Sequence, residues 1–201
     1  IWVPATWLST LTHKTILNQE AVRIVVSLGL IAPLAAGVFD LSIGGVISLS
    51  SMLVSWLIIN GGMSIWAACL ITLGTGALIG ALNAFLILKI KIDSFITTLG
   101  MSSILYALAS AISNGKMIFG FDQSFKNIAR FNLVGIEANI FYALLFGIIM
   151  WWFLENTPGG RYLFATGGNR EAARLAGVST NFYITSALIL SATVAALGGI
   201  L

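Results

Sequence analysis

The sequence predicts an all-α, polytopic transmembrane helical bundle. Three observations carry that prediction: 58% of the residues are hydrophobic while only 8% are charged, the mean hydropathy is +0.99, and the few charges punctuate long uncharged runs. An ordinary soluble domain is about 25% charged, so this chain cannot cover a water-facing surface and its solvent is mostly lipid. No charged residue stands between Arg23 and Asp40, Asp40 and Lys89, Asp93 and Lys116, or Glu137 and Glu155, nor after Arg174.

A helical span needs about 20 apolar residues at a rise of roughly 1.5 Å each. Six segments qualify, near 16–38, 43–59, 64–88, 94–113, 138–154 and 182–201. The first holds Glu20 and Arg23 in its early turns and Pro33 further on, where the missing backbone donor predicts a kink. The uncharged run from Leu41 to Leu88 is long enough for two spans, with Asn60-Gly61-Gly62 as the turn between them. A membrane β-barrel would need short segments alternating apolar and polar. "IWAACLITLGTGALIGALNAFLIL" is continuously apolar instead. The last residues, "SATVAALGGIL", are still apolar with no polar flank, which predicts a single transmembrane domain over 1–201 that continues beyond both ends.

Orientation follows from the basic loops. Lys89 and Lys91 share one tight connection, and Arg161, Arg170 and Arg174 share the loop 156–181. Two spans separate these connections, so both face one side, which the positive-inside rule makes cytoplasmic. The opposing loop, 114–137, mixes Lys116, Lys126 and Arg130 with Asp122 and Glu137.

Several classes of chemistry are excluded. A net charge of +3 is too small to argue for nucleic acid. Cys69 is the single cysteine, so neither a disulfide framework nor a cysteine metal site is available. His13 and the Asp and Glu residues do not cluster, which leaves no triad, no zinc site and no catalytic residue. No phosphate-binding loop of the G-x-x-x-x-G-K-[ST] type is present, so the chain itself carries no sign of binding ATP or another cofactor.

The polar residues inside apolar sequence are the candidates for function. Gly74, Gly76 and Gly80, with Ala77, Ala81 and Ala84, form small-residue tracks whose first reading is close helix packing in lipid. In "AGVFDLSIGG" Asp40 and Ser42 interrupt an apolar run. An acid at membrane depth costs several kcal/mol unless it faces water or a partner. Asp40 therefore either caps the following helix, with Ser42 assisting, or faces a wet cavity. In "KIDSFITTLGMSSILYALAS" Asp93 or Ser94 is placed to cap a helix. Thr97, Thr98, Ser102 and Ser103 then add hydroxyls that either bond between helices or line a path for a polar solute. Asn83 admits the same two readings.

The loop "ATGGNREAARLAGV" is the most polar stretch. Gly167-Gly168 breaks the chain, Asn169 is a good N-cap, Glu171 suits the first turn and Arg174 the last. Gly177 fits the position that terminates a helix. The predicted helix over Arg170–Ala176 has about two turns, too few to be stable alone. Its small face, Ala172, Ala173 and Ala176, suits a groove of another protein with Arg170 and Arg174 at the rim; the other reading is a helix lying on lipid.

This loop resembles the cytoplasmic loop of bacterial ABC-transporter permeases for simple sugars, the branched-chain amino-acid/sugar permease superfamily that includes ribose, arabinose and xylose importers. "GVFDLSIGGVISLSSML" is similar to that family's G-[IV]-D-L-S-[IV]-G segment, and "ALNAFLILKIKIDSFITTLGMSSI" to its P-x-F-I-x-T-L-G segment. "TPGGRYLFATGGNREAARLAGV" follows its G-R…A-x-G-G-N-x-x-A-A loop, and the three blocks stand in the same order over most of residues 37–178. Two departures stand out: Phe39 replaces a usual isoleucine, and Lys91 and Asp93 stand where prolines are common.

The resemblance implies a membrane-spanning permease subunit of an ATP-binding-cassette importer in the bacterial cytoplasmic (inner) membrane. It implies about ten spans, so that this chain would lack a first helix and the last three or so. Implied partners are a second permease chain, identical or different, cytoplasmic ATPase subunits that hold ATP and Mg, and an extracytoplasmic sugar-binding protein. Gly168, Asn169, Arg170, Glu171, Ala172, Ala173, Arg174, Ala176 and Gly177 would form the coupling helix against the ATPase. Asp40, Ser42, Asn83, Thr97 and Thr98 would line or gate the substrate pathway. The alternative class, a secondary transporter or channel working without ATP, needs an ion relay for which Asp40 alone is available.

Overall fold

A computed structural model describes residues 9–116, 118–120, 132–133 and 136–201. Its elements run α1 (Thr10–Ala35), α2 (Ile43–Ile59), α3 (Ile65–Leu88), α4 (Ser94–Ser113), β1 (Asn132–Leu133), β2 (Ile136–Glu137), α5 (Ala138–Asn156), α6 (Pro158–Gly168), α7 (Arg170–Leu175) and α8 (Thr180–Ile200). Each of the six expected spans has its helix. Among the described residues five helices are long and apolar enough to cross a membrane, and Ile43–Ile59 is apolar but shorter. The all-α reading omits one small feature, an antiparallel ribbon in which Asn132 faces Glu137 and Leu133 faces Ile136. Asp122, Lys126 and Arg130, used above to weigh the opposing loop, lie outside the described residues.

The first span ends earlier than expected, at Ala35 rather than near residue 38. Pro33 cannot donate to the Gly29 carbonyl, and the helix then closes in a Schellman motif. Gly37, at φ +76°, donates to the Leu34 carbonyl at 3.0 Å while Val38 donates to that of Pro33 at 3.0 Å. Glycine reaches that left-handed conformation without the clash a Cβ would bring.

Helix α8 is the centre of the bundle: 56% of its span is buried, against 28–29% for the other four long helices. The glycine track of α3 explains how closely the two helices meet. A Cβ on Gly80 would stand 2.5 Å from the Leu188 carbonyl oxygen, and one on Gly76 would stand 2.6 Å from Ala196 Cβ. Without those methyls the backbones touch, and dispersion between them holds α3 to α8 where lipid offers no hydrophobic drive. Gly74, on another face, has nothing within 4 Å. Helix α2 meets α4 in the same way, with Gly45 against the Ser102 backbone. Trp66, Leu70, Leu78, Leu144 and Trp151 stand exposed around the outside, which is the face a membrane protein presents to lipid.

Successive reversals bring three connections to one end of the bundle: residues 36–42, residues 89–93 and the stretch from Thr157 to Ser179. The Phe39 amide donates to Ser94 Oγ at 3.2 Å, and Gly37 lies against Gly167. The basic residues Lys89, Lys91, Arg161, Arg170 and Arg174 all belong to this end.

Candidate functional site

Three of the five predicted pathway residues, Asp40, Ser42 and Asn83, are hydrogen-bonded to one another just inside that end, and a fourth, Thr98, holds the intervening Leu41 backbone. Asp40 Oδ1 accepts from Ser42 Oγ at 2.6 Å and from the Ser42 amide at 3.1 Å. Asn83 Nδ2, from α3, donates to the same Ser42 oxygen at 2.9 Å. On the α4 side Thr98 Oγ1 accepts from the Leu41 amide at 3.0 Å while donating to the Ser94 carbonyl at 2.8 Å. The short stretch between α1 and α2 is thereby pinned to α3 and α4. Side chains accept from the Phe39, Leu41 and Ser42 amides, which is how irregular backbone inside a membrane protein is satisfied. Asn83 lies six residues before Lys89, or about 9 Å along α3 at the helical rise.

Thr97 is the fifth residue and differs. It is buried, but its Oγ1 has no hydrogen-bond partner among the described residues. Asp40 Oδ2 and Asn83 Oδ1 are likewise buried and unpartnered. The cluster is closed to solvent, with Ser42, Asn83 and Thr98 at 0% and Asp40 at 2% exposure. Burying a carboxylate with no cation costs several kcal/mol. Both ion pairs among the described residues lie elsewhere and are exposed, Arg23 with Glu20 and Arg174 with Glu171.

The cap reading of Asp40 is corrected by these contacts. Ser42 is the N-cap of α2 and makes no side-chain capping bond; Asp40 holds Ser42 itself rather than the first turn. At α4 the two candidates divide the work. Asp93 caps, with Oδ1 accepting from Phe95 at 2.9 Å and Ile96 at 3.3 Å, and Ser94 Oγ instead receives Phe39.

The second predicted site is an arm made of α6 and α7. Asn169, at φ −154° and ψ 98°, breaks the chain and caps α7, its Oδ1 accepting from the Ala172 amide at 2.9 Å. The terminus is a second Schellman motif, with Gly177 at φ +87° and the Val178 amide bonded to the Ala173 carbonyl at 3.0 Å. Arg170 Nη2 donates to Asn181 Oδ1 at 2.9 Å, tying α7 to the first turn of α8. Arg174 Nε donates to Glu171 Oε2 at 3.1 Å. This hydrogen bond and then the guanidinium charge hold the Glu171 carboxyl below the ordinary carboxylate range and raise Arg174.

The small face is rearranged relative to expectation. Ala172 and Ala176 are exposed, but Ala173 is 7% exposed and packs inward. A six-residue helix has too few turns for spacing alone to say which side faces out. The outward apolar residue is Leu175, 76% exposed at the tip of the arm. Beside it a cleft of about 370 Å³ is lined by Tyr162, Ala176, Gly177, Val178, Phe182 and Tyr183.

A family profile described as "Branched-chain amino acid transport system / permease component" matches residues 13–201. The chain belongs to this family. Within it the D-allose transport system permease protein AlsC of Escherichia coli (strain K12) is 30% identical over 98% of this chain and 60% of its own length. The galactose/methyl galactoside import permease protein MglC of the same strain is 32% identical, covering the whole of this chain and 65% of the relative. The L-arabinose transport system permease protein AraH, again of that strain, is 36% identical over 93% of this chain and 58% of the relative. The chain thus spans 58–65% of the length of these curated relatives. No solved structure matches it.

In this permease-family chain two site features have little or no local sequence signal. Helix α6 occupies part of the expected loop 156–181 and runs through Gly167-Gly168, where a break is expected, to Gly168. Thr157-Pro158 was the available signal: Thr157 Oγ1 accepts from the Gly160 amide at 3.2 Å, with proline at N1, where its missing donor costs nothing. The contact between Gly37 and Gly167 had no local signal, since 130 residues of chain separate its partners.

Proposed function

We propose that this chain is part of a permease subunit of an ATP-binding-cassette importer that carries a simple sugar or sugar-like polyol across the bacterial inner membrane. The reading takes a second permease chain as the other half of the pathway. Cytoplasmic ATPase subunits supply the energy from ATP and Mg, and an extracytoplasmic binding protein supplies the cargo. The chain itself is a transport component and not an enzyme.

The observation that carries the reading is the arm. A capped helix projects from the basic end of the bundle and displays Leu175 at 76% exposure. It is fixed at both ends by Asn169 and Gly177 and braced to α8 by Arg170. Such a rigid apolar tip with a charged rim suits a groove in another protein, and on this reading the ATPase supplies that groove. The residues Gly168 to Gly177 act as the coupling segment within the cytoplasmic loop 156–181.

The polar cluster is the gate on the solute side. Asp40 Oδ2, Asn83 Oδ1 and Thr97 Oγ1 are buried acceptors with no donor among the described residues, and sugar hydroxyls are donors. Closed in this structure, the cluster would exchange its internal bonds for solute hydroxyls when α2, α3 and α4 separate. Differential binding of the ATPase to open and closed states is what would shift that equilibrium.

The test is uptake of a panel of labelled monosaccharides, including allose, galactose and arabinose, by cells expressing the full-length permease with its ATPase and binding protein. Accumulation of at least one sugar, abolished by deleting the ATPase, is the expected result. Accumulation that persists without the ATPase would instead favour a secondary transporter.

A further inference from the structure

The arm and the closing turn of α1 touch, and they touch backbone to backbone. A Cβ on Gly37 would stand 3.0 Å from Gly167 Cα, and one on Gly167 would stand 2.9 Å from the Gly37 nitrogen and collide with the Ala35 carbonyl oxygen. Gly37 is the residue at φ +76° that ends α1. Three residues later comes Asp40, which fixes Ser42 and through it Asn83. Gly167 lies two residues before Asn169, the cap of α7. No side chain is interposed, so nothing in this joint can absorb a displacement by changing rotamer.

We propose that the Gly37–Gly167 contact is the mechanical joint that delivers movement of the α6–α7 arm to the intramembrane cluster. The inference rests on the arm being the ATPase-facing element. Displacing Gly167 pushes the closing turn of α1 directly. The Asp40–Ser42 segment continues the same stretch, and its hydrogen bonds to Asn83 and Thr98 pass the push on to α3 and α4. Gly37 and Gly167 are positioning residues here: on this proposal each acts through the other's backbone and not on the solute.

The experiment uses the full-length permease with its ATPase and binding protein in liposomes. Gly167→Ala places a methyl in the joint, and Gly100→Ala, where nothing lies within 4 Å, is the control. For Gly167→Ala the ratio of binding-protein-stimulated to basal ATP hydrolysis falls about tenfold, within the range of site-to-site couplings. Sugar uptake falls with it, the ATPase still co-purifies, and the control behaves as wild type. Equal ratios in the two variants, or equal losses, would overturn the joint while leaving the transport reading intact. A wild-type complex with no stimulated hydrolysis would remove that reading and the joint together.

Should Gly167→Ala fail to assemble, spin labels at Phe39 and Ala176 in a Cys69→Ser background decide the matter. Both positions are exposed. Their separation stays constant on nucleotide binding if the joint is rigid, while the separation of Ala176 from Leu70 at the far end changes. Constancy of the second distance with change in the first would contradict the proposal.

Discussion

Asn83 Nδ2 donates to Ser42 Oγ at 2.9 Å across 41 residues of chain. This one bond makes the stretch between α1 and α2 part of α3, because Ser42 is already locked to Asp40. Replacing Asn83 with leucine removes the donor and strips Ser42 Oγ of its partner on α3. A loss of about 1–3 kcal/mol is expected for a buried hydrogen bond broken on one side. Thermal unfolding of the full-length protein in detergent would read it as a lowered Tm. An unchanged Tm would mean the cluster does not hold the fold.

At Asp40 two substitutions separate shape from loss of an acceptor. Asp40→Asn keeps an oxygen for the Ser42 hydroxyl and amide and should stay within about 1 kcal/mol of wild type. Asp40→Leu leaves both donors buried without an acceptor and should cost more, about 2–4 kcal/mol. The same melting measurement orders the two variants.

The glycine track gives a contrast within one helix. Gly80→Val drives side-chain atoms into the Leu188 carbonyl and the Ile189 backbone, and overpacking of this kind costs about 1–3 kcal/mol or more. Gly74→Ala meets open space and should gain up to about 1 kcal/mol from the lower backbone entropy of alanine. A destabilised Gly74→Ala variant would show that this face carries a partner.

On the arm, Leu175→Ser and Ala173→Asp should fail differently. Leu175 is 76% exposed, so its truncation leaves the fold intact while uptake falls. Ala173 is 7% exposed, so a carboxylate there disrupts the arm before any question of docking arises. Limited proteolysis of the loop separates the cases: normal cleavage for the first, accelerated cleavage for the second.

The Glu171–Arg174 pair fixes a pH dependence whose sign can be stated. The Glu171 carboxyl is held below the ordinary glutamate value, chiefly by the Arg174 hydrogen bond. A depressed carboxylate contributes its stability above the unfolded value of roughly 4.3 and loses it only as pH falls through the lowered folded value. Across the neutral range the pair is therefore constant. Substituting Arg174 with glutamine should return the Glu171 titration, followed by carboxyl NMR, towards the ordinary value. Both side chains are exposed, so added salt weakens the pair.

How much of this was visible in the sequence depends on the range of the interaction concerned. Asp40, Ser42, Asn83, Thr97 and Thr98 were legible singly, because each is polar in apolar surroundings. Helix starts and stops were legible too where they depend on neighbours, as at Asn169 and Gly177. What joins Ser42 to Asn83, and Leu41 to Thr98, is the packing of helices far apart in sequence, and no local pattern encodes it. Ala173 and Leu175 show the same limit: which of them faces out depends on where α8 lies, not on the spacing of alanines. Gly76 and Gly80 were read as packing residues from composition, but only the position of α8 distinguishes them from Gly74.

We propose that ATP hydrolysis by a partner, and not an ion gradient, drives a sugar through the full-length permease of which this chain is part. The most direct test is reconstitution of the full-length permease with its ATPase and binding protein in liposomes, with labelled sugar and binding protein on one side and ATP with Mg on the ATPase side. Sugar should accumulate only when ATP and binding protein are both present, and dissipating the proton and sodium gradients should leave uptake unchanged. Uptake that proceeds without ATP and collapses with the ion gradient would contradict the account.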